Sequence, residues 1–209
     1  MHFLVIEGNI GAGKTSLAKM IGERFNARVI LEQFSDNPFL PGFYKDPERY
    51  AFPLELSFLA GRYNQIRREM PEPDLLKSFA VSDYYFFKSL IFSKSTLSGD
   101  EYKLFRQLFD IMSISMPVPD LCVYLHREPE ILLENIIKRG RAYELGITKE
   151  YLLKIQQSYS DFMEQMEELS FLVIDLGESD FMSGKDVFEI IIEKVFAREY
   201  PYGINRVGL

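Results

Sequence analysis

The chain has one cysteine, no excess of positive charge and no long apolar run, and each shortage excludes a class of protein. With Cys122 alone, no intrachain disulfide can form, which favours a reducing compartment and a cytoplasmic protein. The formal net charge of −7 argues against a nucleic-acid polymer as partner, because binding a polyanion requires a basic surface. No apolar run approaches the ~20 residues of a membrane span. An apolar strand pattern begins at once, so we also expect no signal or transit peptide.

What the chain does contain is typical of a protein with a large hydrophobic core. Of its 209 residues, 47% are hydrophobic and 26% are charged, which is ordinary for a globular fold. The length fits one domain, and no linker, repeat or low-complexity tract divides residues 1–209. Most of the 18 phenylalanines and 12 tyrosines are expected in the core, with one or two left to stack on a base.

A glycine-rich motif near the N-terminus organises the sequence. It follows an apolar run at 3–6, precedes a helical pattern, and has the form G-x-x-x-x-G-K-[ST]. Its glycines let successive backbone N–H groups point inward as an anion nest at the positive end of a helix dipole. A turn that binds nothing is the alternative, but the strand–loop–helix context favours a nucleoside triphosphate. The predicted nucleotide-binding residues are Gly8, Asn9, Ile10, Gly11, Ala12, Gly13, Lys14, Thr15 and Ser16.

This motif, the P-loop (residues 8–15), carries two groups with predicted roles in binding ATP and Mg²⁺. Lys14 is expected to reach the β- and γ-phosphates, and Thr15 to offer its hydroxyl to Mg²⁺. Asp83 ends a predicted strand, and an acidic residue in that position commonly holds the same ion. Asp83 is also suited to cap a helix beginning at Tyr84, since aspartate is a favoured N-cap. Both roles are compatible, and the P-loop context favours the metal role.

Apolar runs alternate with helical patterns along the chain, which predicts βαβ units and a parallel sheet. Strands are predicted at 2–7, 28–31, 79–82, 121–125 and 171–174. Helices are predicted at 14–25, 47–70, 84–94, 100–116, 129–138, 149–169 and 185–198, with irregular chain or a short helix between the second strand and the second helix. The predicted fold class is α/β, with a parallel five-stranded sheet flanked by helices. Ligands in such sheets bind at the carboxyl ends of the strands.

Two segments near that edge carry charged side chains. Glu32 directly follows the second strand, where a carboxylate is suited to accept a proton from a substrate hydroxyl, although an exposed loop glutamate fits the sequence equally. Arg139 and Arg141 flank a glycine after a helix, which suits a mobile lid that meets the charge of a transferring phosphoryl group. The alternative is a solvated basic loop that complements the helix C-terminus. The presence of the P-loop favours the lid.

Together these segments resemble the deoxyribonucleoside kinase family, nearest its bacterial deoxyguanosine and deoxyadenosine kinase branch. The resemblance runs from Phe3 to Phe181 and includes the P-loop. It also rests on Leu31-Glu32 followed by DNPFL at 36–40, on FYKDPERYAF at 43–52, on FLAGR at 58–62 and on KRGRAYE at 138–144. Many families share the P-loop, whereas its combination with Tyr44, Arg62 and the arginine lid is specific. The resemblance implies a P-loop kinase fold with a short arginine-rich lid, and a homodimer packed through helices.

The resemblance also implies a role for each candidate residue. The catalytic residues would be Glu32 as the base on the sugar 5′-hydroxyl, with Lys14, Arg139 and Arg141 on the phosphates. Glu55 and Arg62, about two turns apart on one helix face, would meet the base of the substrate. The sugar 3′-hydroxyl would contact Tyr44 and Glu144, and the ATP adenine would lie near Asp175 and Phe181.

Three positions depart from the family pattern. The acid–Arg–Ser sequence that the family has after the third strand is Asp83-Tyr84-Tyr85 here, so the acid is kept and its arginine neighbour is missing. Asn135 stands one helical turn before the lid, where many relatives carry a further arginine. Glu55 replaces a glutamine that most relatives use to read the base.

The sequence therefore predicts a kinase that transfers the ATP γ-phosphoryl group to the 5′-hydroxyl of a purine deoxynucleoside in nucleotide salvage. An ionised Glu55 matches the N1–H and 2-amino donors of guanine, and the Arg62 fork matches O6 and N7, so deoxyguanosine is expected first and deoxyadenosine second. A protonated Glu55 would instead mimic glutamine and accept adenine. One alternative is a nucleoside-monophosphate kinase, whose acceptor phosphate Glu32, Glu55 and Glu144 would repel. The other is a nucleotide-binding regulatory subunit without turnover.

Overall fold

A parallel sheet forms the centre of the fold in the computed structural model, which describes residues 1–33, 37–70, 77–182 and 184–209. Within those ranges the sheet has six strands in the order β2-β3-β1-β4-β5-β6, and every neighbouring pair is parallel. The strands are β1 (Phe3–Gly8), β2 (Arg28–Ile30), β3 (Ala80–Ser82), β4 (Leu121–His126), β5 (Ser170–Asp175) and β6 (Gly203–Gly208). Because β1 lies between β3 and β4, the P-loop emerges at the middle of the carboxyl edge.

Helices lie between the strands, as the alternating pattern predicts. In the described part of the chain they are α1 (Lys14–Phe25), α2 (Leu40–Phe43), α3 (Pro47–Glu69), α4 (Lys88–Thr96), α5 (Gly99–Ser113), α6 (Pro129–Arg139), α7 (Lys149–Gln165) and α8 (Lys185–Phe196). A 3₁₀ turn (Ala142–Glu144) follows α6. The short helix α2 was expected, and Pro53 lies inside α3. Among the described residues, no helix is long and apolar enough to cross a membrane.

Two hydrophobic cores cover the two faces of the sheet. Successive strand residues point to opposite faces, so Leu4 and Ile6 of β1 join one core while Phe3 and Val5 join the other. The first core contains buried residues of α1, α6 and α8, and the second contains buried residues of α3, α4 and α5. Burial on both faces explains why the central strands read as continuous apolar runs.

The prediction of five strands is wrong, because β6 pairs with β5 in parallel from Ser170↔Gly203 to Asp175↔Gly208. The β6 segment contains Asn205 and Arg206 and has glycine at both ends, so its sequence has little strand character. It lies at the edge of the sheet and is mostly half-buried or exposed. Its conformation therefore depends on pairing with β5.

The predicted start of α4 at Tyr84 is also wrong, because the helix begins at Lys88. The preceding backbone is bonded elsewhere: the Tyr85 N–H donates to Glu7 Oε1 (2.9 Å), and the Tyr84 carbonyl accepts from Ser82 Oγ (2.6 Å). Asp83 is consequently not an N-cap of α4. The predicted helix at 149–169 ends earlier, at Gln165, and the remaining helix boundaries agree within a few residues. Asp36, in the motif at 36–40, lies outside the described residues.

Candidate active site

The structure brings most of the predicted site residues to one cavity at the carboxyl edge of the sheet. The residues that line it include the predicted set Lys14, Thr15, Glu32, Tyr44, Glu55, Arg62, Asp83, Arg139, Arg141 and Glu144. They come from the P-loop, from the segments after β2 and β3, from α3, and from the lid after α6. The parallel topology is what makes these segments neighbours, since each strand delivers its carboxyl end to the same edge.

The P-loop has the conformation that a phosphate cradle requires. Gly13 has φ 98° and ψ 11°, a left-handed conformation that side chains disfavour, and a Cβ there would lie 2.8 Å from the Phe181 ring. The Asn9 side chain fixes the loop by donating to Leu152 O (2.8 Å). Asn135, the departure before the lid, donates to Gly11 O (2.9 Å) and supports the loop from α6.

Lys14 and Thr15 are the two P-loop residues for which the sequence predicts contacts with the triphosphate and its metal. Lys14 Nζ donates to Asn9 O (2.7 Å), and burial together with the Lys88 ammonium lowers the pKa of Lys14 to about 7. A phosphate anion in the cradle would offset that lowering by favouring the charged amine. The Thr15 hydroxyl donates to Asp83 Oδ2.

The pair of Thr15 and Asp83 has the chemistry of a magnesium position. Both groups contribute oxygen, and Mg²⁺ in nucleotide sites takes one or two protein oxygens and completes its shell with phosphates and water. The residues that the structure describes hold no group of three or more His, Cys, Asp or Glu suited to a metal, so a cage made of protein alone is not what this site provides. The residues present therefore fit a metal that arrives with the nucleotide.

Asp83 also connects the nucleotide side to the acceptor side. Its Oδ1 accepts from the backbone N–H of Glu32 (2.7 Å), while Oδ2 takes the Thr15 hydroxyl. The carboxylate is 4% exposed, and these two contacts fix its orientation between β1, β2 and β3. Asp83 thus sets the distance between the P-loop and the first residue of the acceptor cavity.

Glu32 is a buried carboxylate held by two cations, so its interpretation as an exposed loop residue is wrong. Its side chain is 10% exposed. Arg62 donates to Oε1 through Nε (2.8 Å), its Nη2 lies 2.6 Å from the same oxygen, and Lys88 Nζ lies 2.5 Å from Oε2. Burial raises the pKa of Glu32, but the charges and hydrogen bonds of Lys88 and Arg62 outweigh burial and lower it to about 2. Glu32 is therefore fully ionised at neutral pH.

Glu55 is deeper in the cavity and has a different electrostatic environment. It is 3% exposed, and Thr96 Oγ1 lies 2.9 Å from its Oε1. Burial raises the pKa of Glu55 to about 7, although the nearby Arg62 charge and the Thr96 hydroxyl favour the ionised form. Arg62 does not neutralise Glu55 directly, because its guanidinium is bonded to Glu32 and, through Nη1, to Ser89 Oγ (2.8 Å).

The lid arginines are gathered around Glu144. Arg139 Nη2 lies 2.6 Å from Glu144 Oε2, and Arg141 Nη1 lies 3.3 Å from Oε1. Glu144 is 5% exposed, whereas both arginine side chains are about one-third exposed. Tyr44 belongs to the same group: its ring stacks on Tyr143 at 6.2 Å, and burial together with Glu144 raises its pKa. The arginines thus reach the cavity from its open side.

The predicted adenine-side residues lie apart from this cavity. Phe181 is 1% exposed and packs beneath Gly13, whereas the exposed Asp175 accepts from the Gly177 N–H (3.1 Å). Arg127 holds the intervening segment by donating to Gly177 O (3.0 Å) and Ser179 O (2.6 Å). Ser16 lies in the first turn of α1. The segment after β5 therefore contacts the P-loop through Phe181.

Reasoning from the sequence missed Lys88 and Tyr151, which line the cavity, and Thr96, which contacts Glu55. Lys88 interrupts the apolar run at 84–92, and a lone cation in such a run indicates a buried partner, so a signal was present. Thr96 and Tyr151 have no comparable signal, since their positions depend on how α4 and α7 pack.

A phosphate cradle, an oxygen-lined metal position and a carboxylate-rich acceptor cavity on a parallel α/β sheet define a P-loop phosphotransferase. The sequence matches the deoxynucleoside kinase family over residues 4–199. The chain therefore belongs to the deoxynucleoside kinase family, whose members are ATP-dependent phosphotransferases, and it is an enzyme with deoxynucleoside kinase activity.

Individual relatives agree with that assignment. A deoxyguanosine kinase of Bacillus subtilis (strain 168) is 34% identical over 199 residues, which cover 92% of this chain and 95% of that protein. A deoxyadenosine kinase of Dictyostelium discoideum is 31% identical over 207 residues, 97% of this chain and 82% of that protein. A solved deoxyadenosine kinase from M. mycoides has a TM-score of 0.81 at 23% identity, covering 94% of this chain and 100% of that chain, which supports the fold.

Replacing Gly13 with alanine is expected to weaken ATP–Mg²⁺ binding about tenfold or more, measured by isothermal titration calorimetry. The left-handed conformation alone costs roughly 1–2 kcal/mol for a residue with a Cβ, and the contact with Phe181 adds to it. Gly61→Ala is the matched control, because no described atom lies within 4 Å of a Cβ at this helical position. Unchanged ATP affinity in Gly13→Ala would contradict the P-loop as the phosphate site.

Proposed function

We propose that this kinase transfers the γ-phosphoryl group of ATP to the 5′-hydroxyl of a purine deoxynucleoside, with deoxyguanosine favoured and deoxyadenosine second. The observation that carries the proposal is the convergence of Glu32, Tyr44, Glu55 and Glu144 in the cavity beside Lys14. These groups offer hydrogen-bond acceptors and a phenol hydroxyl that suit the hydroxyls and base of a neutral nucleoside. The product is a nucleoside monophosphate for nucleotide salvage.

Positioning supplies most of the catalysis in such a transfer, since the chemical step requires little covalent work from the protein. Glu32 is assigned to the 5′-hydroxyl: it is ionised, lies at the end of β2, and is linked to the metal position through Asp83. A carboxylate with a low pKa is a weak base, so Glu32 orients the hydroxyl first and takes the proton as the new P–O bond forms. Thr15 and Asp83 would hold the Mg²⁺, whose charge would screen the phosphates.

The lid contributes charge that is needed mainly in the transition state. Arg139 and Arg141 are assigned to the transferring phosphoryl group, whose negative charge a planar guanidinium meets better than an ammonium does. Glu144, which now holds both arginines, is assigned with Tyr44 to the sugar 3′-hydroxyl. Closely spaced groups on the 3′-hydroxyl leave little room for a 2′-hydroxyl, which favours deoxyribose.

Base selection is assigned to Glu55. The earlier expectation that Arg62 reads guanine O6 and N7 does not match its arrangement, since the guanidinium is occupied by Glu32 and Ser89. An ionised Glu55 accepts from the two adjacent donors of guanine, N1–H and the 2-amino group. A protonated Glu55 has one donor and one acceptor, which complements adenine or cytosine.

Relatives support a nucleoside substrate without fixing the base. Those named above include both a deoxyguanosine kinase and a deoxyadenosine kinase, and a further relative, from Bacillus subtilis (strain 168), is a deoxyadenosine/deoxycytidine kinase at 27% identity. One structure of the M. mycoides deoxyadenosine kinase contains bound dATP. The purine preference therefore depends on Glu55 and requires a direct measurement.

A panel assay of the purified protein with ATP–Mg²⁺ tests the function. We expect phosphorylation of deoxyguanosine and deoxyadenosine with kcat/KM at least about tenfold above that for deoxycytidine and thymidine, because one good bidentate base contact is worth ~1–3 kcal/mol. Guanosine serves as the matched control for the sugar and should be a poor substrate. Equal kcat/KM for all four deoxynucleosides would contradict the purine preference. Equal kcat/KM for guanosine and deoxyguanosine would contradict the preference for deoxyribose.

The preference for guanine over adenine is expected to increase with pH. Because burial raises the pKa of Glu55 to about 7, the side chain is mainly protonated near pH 6 and mainly ionised near pH 8. The groups that face it are Thr96, Arg62, Glu32, Tyr44 and Tyr151. The ratio of kcat/KM for deoxyguanosine to that for deoxyadenosine should rise about tenfold or more between about pH 6 and about pH 8.

Glu55→Gln is the control for this pH dependence, since glutamine cannot ionise. Its ratio should be flat with pH and should favour deoxyadenosine. A wild-type ratio that does not change with pH, together with an unchanged ratio in Glu55→Gln, would show that Glu55 does not read the base.

We also propose that the enzyme is a homodimer that packs through α5. One face of α5 buries Phe105 and Phe109, while Leu104 and Ile111 on other faces are 48% and 69% exposed. Two further exposed apolar residues follow the helix, Ile114 (87% exposed) and Val118 (70% exposed). Exposed apolar side chains in one continuous region are typical of an association surface.

Light scattering coupled to size-exclusion chromatography tests the dimer. The wild type is expected to elute with twice the monomer mass, and Ile111→Glu to shift toward the monomer, because it places a charge in an apolar contact. Tyr202→Glu is the control, since Tyr202 is 76% exposed and directly precedes the edge strand β6 rather than belonging to α5. A monomeric wild type at micromolar concentration would contradict the proposal.

A further inference from the structure

Lys88 is a buried lysine at the start of α4 that the expected chemistry leaves without a role. It is 6% exposed, in a segment whose neighbours Phe86 and Phe87 belong to the hydrophobic core. A lysine is almost never buried to this extent without a partner of opposite charge. The partner is Glu32, whose Oε2 lies 2.5 Å from Lys88 Nζ, and the ring of Phe92 lies 5.8 Å from the same nitrogen.

The hydrogen bonds of Glu32 divide unequally between its two oxygens. Oε1 accepts a hydrogen bond from Arg62 Nε (2.8 Å) and forms an ion pair with Nη2 (2.6 Å), so two guanidinium nitrogens lie against that oxygen. Oε2 receives Lys88 Nζ, and among the contacts of the described residues it retains one acceptor site. A hydroxyl donor that approaches Glu32 therefore binds at Oε2, beside the Lys88 ammonium.

We propose that Lys88 is a positioning residue for phosphoryl transfer, which orients Glu32 so that Oε2 accepts the substrate 5′-hydroxyl and places a cation beside the reacting oxygen. This inference rests on the proposed function, because the hydroxyl belongs to the nucleoside acceptor. In this chain a tyrosine, Tyr84, follows Asp83 in place of the arginine that the family pattern has there. We infer that Lys88 supplies a positive charge next to Glu32 instead.

Tyr84 shows why the charge comes from α4 rather than from the position beside Asp83. Its side chain is fully buried in the core, and its hydroxyl has no hydrogen-bond partner among the described residues. The backbone from Tyr84 to Phe87 is not helical, and Lys88, in the first turn of α4, reaches Glu32 Oε2 while Arg62 of α3 contacts Oε1. Ser89, the next residue, contacts Arg62 and so joins the same cluster.

The chemical step balances with these groups. The 5′-O–H bond breaks and its proton goes to Glu32 Oε2, while the oxygen lone pair forms the new bond to the γ-phosphorus. The bond between that phosphorus and the β–γ bridging oxygen breaks, and its electron pair leaves with ADP. Lys88 keeps its protons throughout and contributes by holding Oε2 and by its charge, and Glu32 later returns the proton to water.

Steady-state kinetics on Lys88→Met test the proposal, because methionine has a similar length and removes the charge from Glu32 Oε2 without adding a polar group of its own. We expect kcat to fall about 10- to 100-fold, the scale of a displaced catalytic group, while the deoxyguanosine Kd from calorimetry changes less than about threefold. Lys88→Arg should recover part of kcat, since it restores the charge. Lys94→Met is the matched control, because Lys94 is an exposed lysine of the same helix paired with Asp161.

A double-mutant cycle with Glu32→Gln separates this role from a structural one. If Lys88 acts through Glu32, Lys88→Met should lower kcat much less in the Glu32→Gln background than in the wild type. Equal losses in both backgrounds, or an unchanged kcat in folded Lys88→Met, would overturn the proposal. If Lys88→Met does not fold, Lys88→Gln replaces it in the same cycle. The loss of kcat in the wild-type background is then compared with the loss in the Glu32→Gln background, with the same criterion.

The wild-type assay keeps this result distinct from the proposed function. A wild type that phosphorylates deoxyguanosine while Lys88→Met matches it in kcat refutes the role of Lys88 alone. A wild type that phosphorylates no deoxynucleoside refutes the proposed function and this inference together.

Discussion

The burial of the Glu32 carboxylate is the constraint on which the site depends. A charge taken out of water must be met by opposite charge and hydrogen bonds, and removing either partner from such a group is costly. Arg62 comes from α3 and Lys88 from α4, so compensating one carboxylate fixes the approach of two helices to the end of β2. Asp83 then connects Glu32 to the P-loop. The position of Glu32 relative to the P-loop is therefore fixed by these contacts.

The P-loop, the central strands and the long helices were predictable because their signals are local. A glycine pattern, an apolar run or a helical repeat is complete within a few residues, and burial on both faces makes β1 and β4 conspicuous. The edge strand β6 was missed because pairing with β5, rather than its own composition, determines its conformation. The start of α4 was misplaced because Tyr85 donates to Glu7, a residue distant in the sequence.

The same distinction applies to the site. Residues within motifs, such as Lys14 and the lid arginines, could be assigned from spacing. The partners of Lys88 and Thr96 could not, because Glu32 and Glu55 lie 56 and 41 positions away and meet them only when α4 packs on the sheet and on α3. The prediction that Arg62 lines the cavity is confirmed. Its contact with Glu32 rather than with Glu55 depends on how α3 packs against the end of β2, which the sequence does not show.

The two acceptor-side carboxylates act on the folding equilibrium in opposite directions. Glu32 has a pKa of about 2 in the folded chain against an ordinary 4.5, so it favours folding above about pH 4.5, and that contribution disappears as pH falls through 2. Glu55 has a folded pKa of about 7, so its opposition to folding begins above about pH 4.5 and is complete above 7. The free energy of unfolding of the ligand-free protein therefore carries a penalty at neutral pH that mildly acidic solution removes. A bound base that donates hydrogen bonds to Glu55 would remove the same penalty at neutral pH.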